Sequence, residues 1–144
     1  MLYYFLLGIK HGIIKLMNQR FLFKVIVVGG LLIAVLHSIA IMFVLYWMVW
    51  WTDLLMHFLG GLWIAFLTAW VIVVLKKSVS IRQISTILVA SVLVVGVSWE
   101  VFEVLTHSTG TTNATFWSDT VSDLCMDVLG ALTAIFIIRN KRIA

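Results

Sequence analysis

Residues 118–130 read SDTVSDLCMDVLG and place Asp119, Asp123 and Asp127 at four-residue spacing inside an otherwise apolar segment. An α-helix rises about 1.5 Å per residue and brings residues four apart onto one face, so the three carboxylates line a stripe about 12 Å long. A charged side chain near the centre of a bilayer costs about 2.5 to 3.5 kcal/mol on insertion scales. We therefore expect the stripe to serve a function and to face a compensating group.

The composition around this stretch is that of a membrane protein. The chain has 144 residues, of which 63% are hydrophobic and 11% charged, and it contains no proline. These values lie outside the usual range of soluble globular domains. Four apolar runs are long enough to cross a hydrocarbon core about 30 Å thick. The sequence predicts an all-α polytopic membrane protein in which residues 1–144 form one domain, a four-helix transmembrane bundle. The predicted spans are residues 21–46, 53–75, 83–106 and 119–138.

Residues 1–20 precede the first predicted span and contain an apolar run too short to cross a bilayer. His11, Lys15 and Asn18 fall on one face of a helix drawn through this segment. The pattern predicts an interfacial amphipathic helix that lies on the membrane surface. A frayed tail is the alternative.

The ten lysines and arginines lie at or before the start of the first span, between the second and third spans, or after the fourth. Cytoplasmic segments of membrane proteins carry such an excess of basic residues. We therefore expect both termini to be cytoplasmic. Membrane topology explains the net charge of +4, so we predict no nucleic-acid partner and expect the lipid bilayer as the main partner.

The six acidic residues lie at the outward ends of the second, third and fourth spans, together with two histidines. No lysine or arginine shares this layer, so a salt bridge within the chain is unavailable to neutralise it. Four ways of compensating the charge of the carboxylates remain: protonation, a bound cation, a cationic substrate or water. The residues of this layer are Asp53, His57, Glu100, Glu103, His107, Asp119, Asp123 and Asp127.

The acidic layer has the pattern of a metal site built on facing helices, with D-x-x-x-H, E-x-x-E and D-x-x-x-D-x-x-x-D on three spans. Oxygen-rich ligands with an imidazole suit Mg²⁺ or Mn²⁺ first, and Zn²⁺ or Ca²⁺ are further candidates. The predicted metal ligands are Asp123, Asp127, Glu100, Glu103, Asp119 and His57. The predicted catalytic residues are His57 as ligand or general base, Asp53, which orients it, and Glu100.

Several of these residues have a structural alternative. Asp53 and Asp119 are also suited to cap the second and fourth spans. Glu103 and His107 lie near a helix end, where a solvated interfacial position is the alternative to a role in the site.

Among the other residues of the spans, Cys125 and three glycines are expected to serve packing, and His37 has two alternative roles. Cys125 points off the aspartate stripe, so we expect a small packing residue rather than a thiolate ligand. His37, near the middle of the first span, is either hydrogen-bonded between helices or functional. Gly29 and Gly30 offer a smooth surface to a neighbouring helix, and Gly96 allows close approach just below the acids.

Three segments carry a family resemblance: DLLMHFLGG at 53–61, WEVFE at 99–103, and DTVSD at 119–123 with the later GA at 130–131. In these segments the chain resembles the YjdF-like bacterial inner-membrane proteins and, more distantly, the VanZ-like membrane proteins. The resemblance implies a multi-pass protein of the bacterial inner (cytoplasmic) membrane with a polar outward site. It implies no reaction.

Three classes of function fit the acidic layer. The leading hypothesis is an outward-facing divalent-cation site that acts on a lipid or cell-envelope substrate by phosphoester hydrolysis or transfer. The second is a proton- or cation-coupled transporter, for which four spans require a homo-oligomer. The third is a non-catalytic binding or accessory protein that captures a cationic ligand.

Overall fold

The computed structural model describes residues 18–75, 79–106 and 116–140. Every regular element in these ranges is a helix, and four of the five helices are long and apolar enough to cross a membrane. The predicted all-α four-helix membrane bundle is therefore confirmed. The interfacial helix predicted for residues 1–20 lies almost entirely outside the described residues, as does His107. The helices are α1 (Gln19–Met42), α2 (Leu45–Met48), α3 (Thr52–Val74), α4 (Ile81–Thr106) and α5 (Phe116–Asn140).

The first span ends earlier than the sequence predicts, because α1 stops at Met42 and the chain breaks direction at Val44. Val44 has a φ of 56°, in the left-handed region, where a residue with a Cβ is strained by about 1 to 2 kcal/mol. The hydrogen bond of 2.7 Å between His37 Nδ1 of α1 and the Tyr46 hydroxyl of α2 links the helices on either side of this break. The predicted span 21–46 is thus a long helix followed by a single separate turn.

The other helix starts differ from the predicted ones by one to three residues, for identifiable reasons. At α4, the Ser80 amide donates to Gln83 Oε1 (2.8 Å) and the Gln83 amide donates to Ser80 Oγ (3.3 Å), a capping box that starts the helix at Ile81. Trp51 is the N-cap of α3, and α5 begins at Phe116. Asp53 and Asp119 therefore lie inside the first turn, and the capping alternative is wrong for both, although the helix dipole still favours a carboxylate there.

The centre of the bundle is the contact between α3 and α5, which run parallel and pack through small residues. A methyl group placed on Gly61 would lie 2.7 Å from the Asp127 Cα, and one placed on Gly130 would lie 2.5 Å from the Leu62 amide nitrogen. Such distances leave no room for a side chain, so the two backbones approach as closely as glycine permits. Helix α4 packs antiparallel against both of them.

Helix α1 packs mainly against α3. The Trp63 indole of α3 lies across Gly29 and Gly30, and its Nε1 donates a hydrogen bond of 2.8 Å to the Ile26 carbonyl oxygen. The smooth surface predicted at these glycines is confirmed. Apolar side chains on the far side of α1, such as Leu31 at 64% exposure, contact the bilayer.

The half of the bundle at the end that carries Arg20, Arg82 and Arg139 is an apolar core, and this core positions the acidic residues in the other half. Along α4 a four-residue stripe passes from buried apolar residues to Gly96 and then to Glu100, and α3 and α5 show the same change of polarity. The core residues are Leu22, Ala65, Phe66, Ala69, Ile72, Ile84, Leu88, Val92, Ala131, Ala134, Ile135 and Ile138.

The close contact of α3 with α5 predicts different effects for two adjacent glycines. Gly61→Ala forces a methyl group against the α5 backbone and should lower the free energy of unfolding by about 1 to 3 kcal/mol. Gly60→Ala meets nothing within 4 Å, so it should be neutral or stabilise the helix by up to about 1 kcal/mol. Titration of both variants with a denaturing detergent would measure the difference. Equal stability of the two variants would contradict the described packing.

Candidate metal centre

His57 of α3 lies at the centre of the acidic layer and faces carboxylates from three helices. Its Nδ1 is 3.4 Å from Asp127 Oδ2 of α5. Its Nε2 is 3.8 Å from Glu100 Oε1 of α4 and 3.9 Å from Asp53 Oδ1, one turn earlier on α3. The imidazole therefore presents its two nitrogens to different partners.

Two groups of side chains bring their ligand atoms within 4.8 Å of one another. The first consists of Asp53, His57 and Asp123, and the second of His57, Glu100 and Glu103. Both include His57, so the two groups form one centre shared among α3, α4 and α5. Five of the predicted site residues thus converge as potential ligands.

Three buried residues of the centre have polar atoms that no other group of the described ranges satisfies. Asp123 is 1% exposed, and His57 and Glu100 are each 6% exposed. His57 Nε2, Glu100 Oε1 and both carboxylate oxygens of Asp123 are buried without a hydrogen-bond partner. An unsatisfied buried polar group costs about 1 to 3 kcal/mol, and more when it is charged. Native proteins rarely leave several such atoms side by side.

Neighbouring side chains fix the orientation of the two glutamates. The Thr120 hydroxyl of α5 donates a 2.7 Å hydrogen bond to Glu100 Oε2, which leaves Oε1 directed at His57. The Trp99 indole donates a 2.9 Å hydrogen bond to Glu103 Oε1 from one turn earlier on the same helix. One oxygen of each carboxylate is therefore held by a donor.

Gly96 creates the space in which Asp127 lies. A methyl group on Gly96 would collide with Asp127 Oδ2, and it would also lie 3.0 Å from Leu124 Cδ2. The close approach predicted just below the acids is confirmed. Asp127 lies against α4 at this glycine and reaches His57 Nδ1, whereas Asp53 lies on the Nε2 side.

The basic residues of the described chain lie at the other end of the bundle. Arg20 and Lys24 are at the start of α1, Arg82 is at the start of α4, and Arg139 is at the end of α5. Within the described ranges, no lysine or arginine stands in the acidic layer. Any charge on these carboxylates is therefore not balanced by a lysine or arginine of these ranges.

Two candidate residues of α5 stand apart from the converging atoms. Asp119 is half-buried in the first turn and belongs to neither group of ligand atoms. Cys125 is exposed, so it is not the packed residue that the sequence suggests.

His37 and Tyr46 form a polar pair beside the centre. His37 is the nineteenth residue of the 24-residue α1, so it lies in the outer half of that helix rather than at its middle. Its partner Tyr46 lies outside the membrane-spanning helices. Burial, together with the nearby carboxylates of Asp53 and Glu103, raises the pKa of the Tyr46 phenol to about 12. The phenol therefore stays protonated at neutral pH.

Sequence reasoning missed three residues that contact or border the centre: Thr120, Trp99 and Tyr46. Thr120 could have been found, because offsets of three and seven place it on the helical face of Asp123 and Asp127. Trp99 likewise lies four residues before Glu103. Tyr46 has no such pattern, because it lies beyond the break at Val44.

Comparison with known proteins places the chain in a family without giving it a reaction. No curated protein and no solved structure matches it, so the resemblance to YjdF-like and VanZ-like proteins stays a prediction. A family model described as "Predicted membrane protein (DUF2238)" matches residues 4–142. The chain therefore belongs to this family of predicted membrane proteins.

Proposed function

We propose that the centre binds a divalent cation on the outer side of the membrane and acts on a phosphoester of a lipid or cell-envelope substrate. The observation that carries the proposal is the convergence of four buried atoms without hydrogen-bond partners: His57 Nε2, Glu100 Oε1 and both oxygens of Asp123. A cation would bind these atoms together and would balance the carboxylate charge that no lysine or arginine of the described ranges balances.

The distances between these atoms favour an ion over direct hydrogen bonds. His57 Nε2 lies 3.8 Å from Glu100 Oε1 and 3.9 Å from Asp53 Oδ1, beyond the range of a hydrogen bond. Two ligands bound about 2.1 Å from one small cation stand about 3 to 4 Å apart. The observed separations therefore suit a shared ion without a change of helix positions.

We assign the ligands from this geometry. His57 Nε2, Glu100 and Asp123 form the core of the set, and Glu103 and Asp53 complete it. Asp127 contacts His57 Nδ1 and has the position of a carboxylate that fixes a metal-binding imidazole. The mixture of several oxygens with one nitrogen suits Mg²⁺ or Mn²⁺ best, with Zn²⁺ and Ca²⁺ as further candidates.

A bound cation would supply Lewis-acid chemistry, stabilising charge on a phosphoryl oxygen and lowering the pKa of bound water. Asp53 has a side chain that is 31% exposed, in contrast with 8% for Glu100. Solvent therefore reaches Asp53 more easily than the other carboxylates assigned as ligands. We assign to Asp53 the role of proton acceptor. The N-termini of α3 and α5 both point outward and would favour a phosphate beside the cation.

Transport is less consistent with the inner half of the bundle. In the described helices, no acid or histidine lies between Asp127 and the basic inner ends. The space below Gly61 and Gly96 is filled by the apolar core. A relay that crosses the membrane needs polar groups along that path, so a site that opens only outward is the better proposal.

The ligand assignment predicts metal content. Asp123→Asn should abolish stoichiometric binding of Mn²⁺ to the detergent-purified protein, because a buried ligand with two free oxygens is lost. Asp119→Asn, the same change one turn earlier on α5, should retain the metal. Elemental analysis after dialysis against Mn²⁺ measures both, with size-exclusion profiles as a check of folding. Wild-type protein without metal would overturn the proposal, and loss of metal in both variants would overturn the assignment.

The position of Asp127 beside His57 Nδ1 predicts that its substitution weakens metal binding less than the substitution of Asp123 does. Asp127→Asn keeps a hydrogen-bonding group beside His57 Nδ1 but removes the charge, so Mn²⁺ should bind about 10- to 100-fold more weakly at unchanged stoichiometry. Isothermal titration would separate affinity from stoichiometry. A complete loss of binding would show that Asp127 is itself a ligand.

Catalysis is tested by phosphate release from phospholipid vesicles that contain the purified protein and Mn²⁺. We expect turnover that requires the metal, disappears in Asp123→Asn and persists in Asp119→Asn. Metal binding without turnover on any phosphoester lipid would favour the accessory role.

We also propose that the protein lies in the bacterial inner membrane with the centre facing outward and both termini cytoplasmic. Alkaline phosphatase fused after Thr106 should be active, because only exported phosphatase folds, and phosphatase fused after Ala144 should be inactive. Green fluorescent protein at the same positions should give the opposite result. Activity of the phosphatase at the C-terminus would reverse the topology.

A further inference from the structure

An apolar groove of about 500 Å³ runs between α4 and α5, on the side of the bundle away from α3. It lies within two membrane-spanning helices and therefore opens to the hydrocarbon of the bilayer. Along α5 it extends from Val121 to Leu129, about 12 Å. The lining residues are Leu93, Val121, Leu124, Cys125, Val128 and Leu129.

The groove borders the candidate metal centre through the seam between α4 and α5. At about 100° per residue, Thr120 lies about 60° around α5 from Asp123, and Leu124 lies about 100° around it. The Thr120 hydroxyl bonds Glu100 across this seam. Leu124 in the groove and Asp127 in the centre both pack over Gly96. The outer end of the groove, at Val121, is therefore next to the residue that holds a predicted ligand.

The lining favours a flexible hydrocarbon chain over a second transmembrane helix. Helices in membranes associate through small residues that allow close backbone approach, and the contact of α3 with α5 shows this pattern at Gly61 and Gly130. The groove has almost no polar surface, and five of its six lining residues are leucine or valine. Such a concave, branched surface suits an acyl chain.

We propose that this groove seats an acyl chain of a phospholipid whose phosphate lies at the cation of the metal centre. The inference rests on the proposed function, since the cation is what attracts the phosphate among the acids. It identifies the substrate as a membrane phospholipid that enters sideways from the outer leaflet between α4 and α5.

The test uses the metal-loaded protein in nanodiscs with phosphatidylglycerol that carries a photoreactive diazirine in its acyl chain. Cross-links should concentrate on residues 121–129. Leu93→Trp fills the groove and should reduce this labelling about tenfold, as expected for the loss of about 1.4 kcal/mol of binding. Val94→Trp, the same change at a neighbouring residue that is 67% exposed and outside the groove, should leave the labelling unchanged.

The headgroup requirement is tested with photoreactive diacylglycerol that carries the same acyl chain. Phosphatidylglycerol should label the groove more strongly when Mn²⁺ is bound, and chelation or Asp123→Asn should remove this preference. Equal labelling by both lipids with metal present, or equal labelling of α1 and the groove, would show ordinary surrounding lipid and overturn the inference. That result would leave the proposed function standing as long as the wild type retains its metal.

Oxidative cross-linking provides the third arm, because Cys125 is the single cysteine of the chain and lines the groove. Efficient formation of a disulfide-linked dimer in the membrane would show that a second copy covers the groove, and would overturn the inference. Absence of the dimer, together with the labelling described above, would support it.

Discussion

The structure depends on the close contact between the backbones of α3 and α5. At Gly61 and Gly130 the two helices approach within a distance that excludes any side chain. This contact sets the rotation of both helices, so His57 and Asp123 face the same interior space. Packing of the apolar half therefore fixes the positions of the helices. The same positions bring the polar side chains of the centre together in the other half. Ionisable groups within membrane spans almost always face the bundle interior, as they do here.

The spans and the acidic layer could be predicted from the sequence, because hydropathy fixes which segments cross the membrane and four-residue spacing fixes which side chains share a face. The partners of each acid could not be predicted in this way. Four-residue spacing suggests that Asp53 orients His57, whereas Asp127 reaches His57 Nδ1 only through the rotation of α5 against α3, which spacing does not reveal. Asp119 lies four residues before Asp123 on the same face of α5. It is one turn too near the start of the helix to join the ligand atoms.

The break between α1 and α2 shows a second limit of sequence patterns. Val44 is a β-branched residue, which no propensity argument would place in the left-handed region. The predicted span continued through it because the composition stays apolar and aromatic up to Trp51. The conformation depends on tertiary contacts that include the hydrogen bond between His37 and Tyr46, and such contacts have no local signature.

The parallel pairing of α3 with α5 also determines when the centre can form during synthesis. Among the described helices α5 is the last to be synthesised, and it carries the buried aspartates Asp123 and Asp127. By then His57 of α3 and Glu100 of α4 are already in the membrane. The span that carries three of the six acidic residues thus inserts beside helices that already hold His57 and Glu100, rather than into bare lipid. The order of the helices thus places the insertion of Asp123 and Asp127 after that of the helices that hold His57 and Glu100.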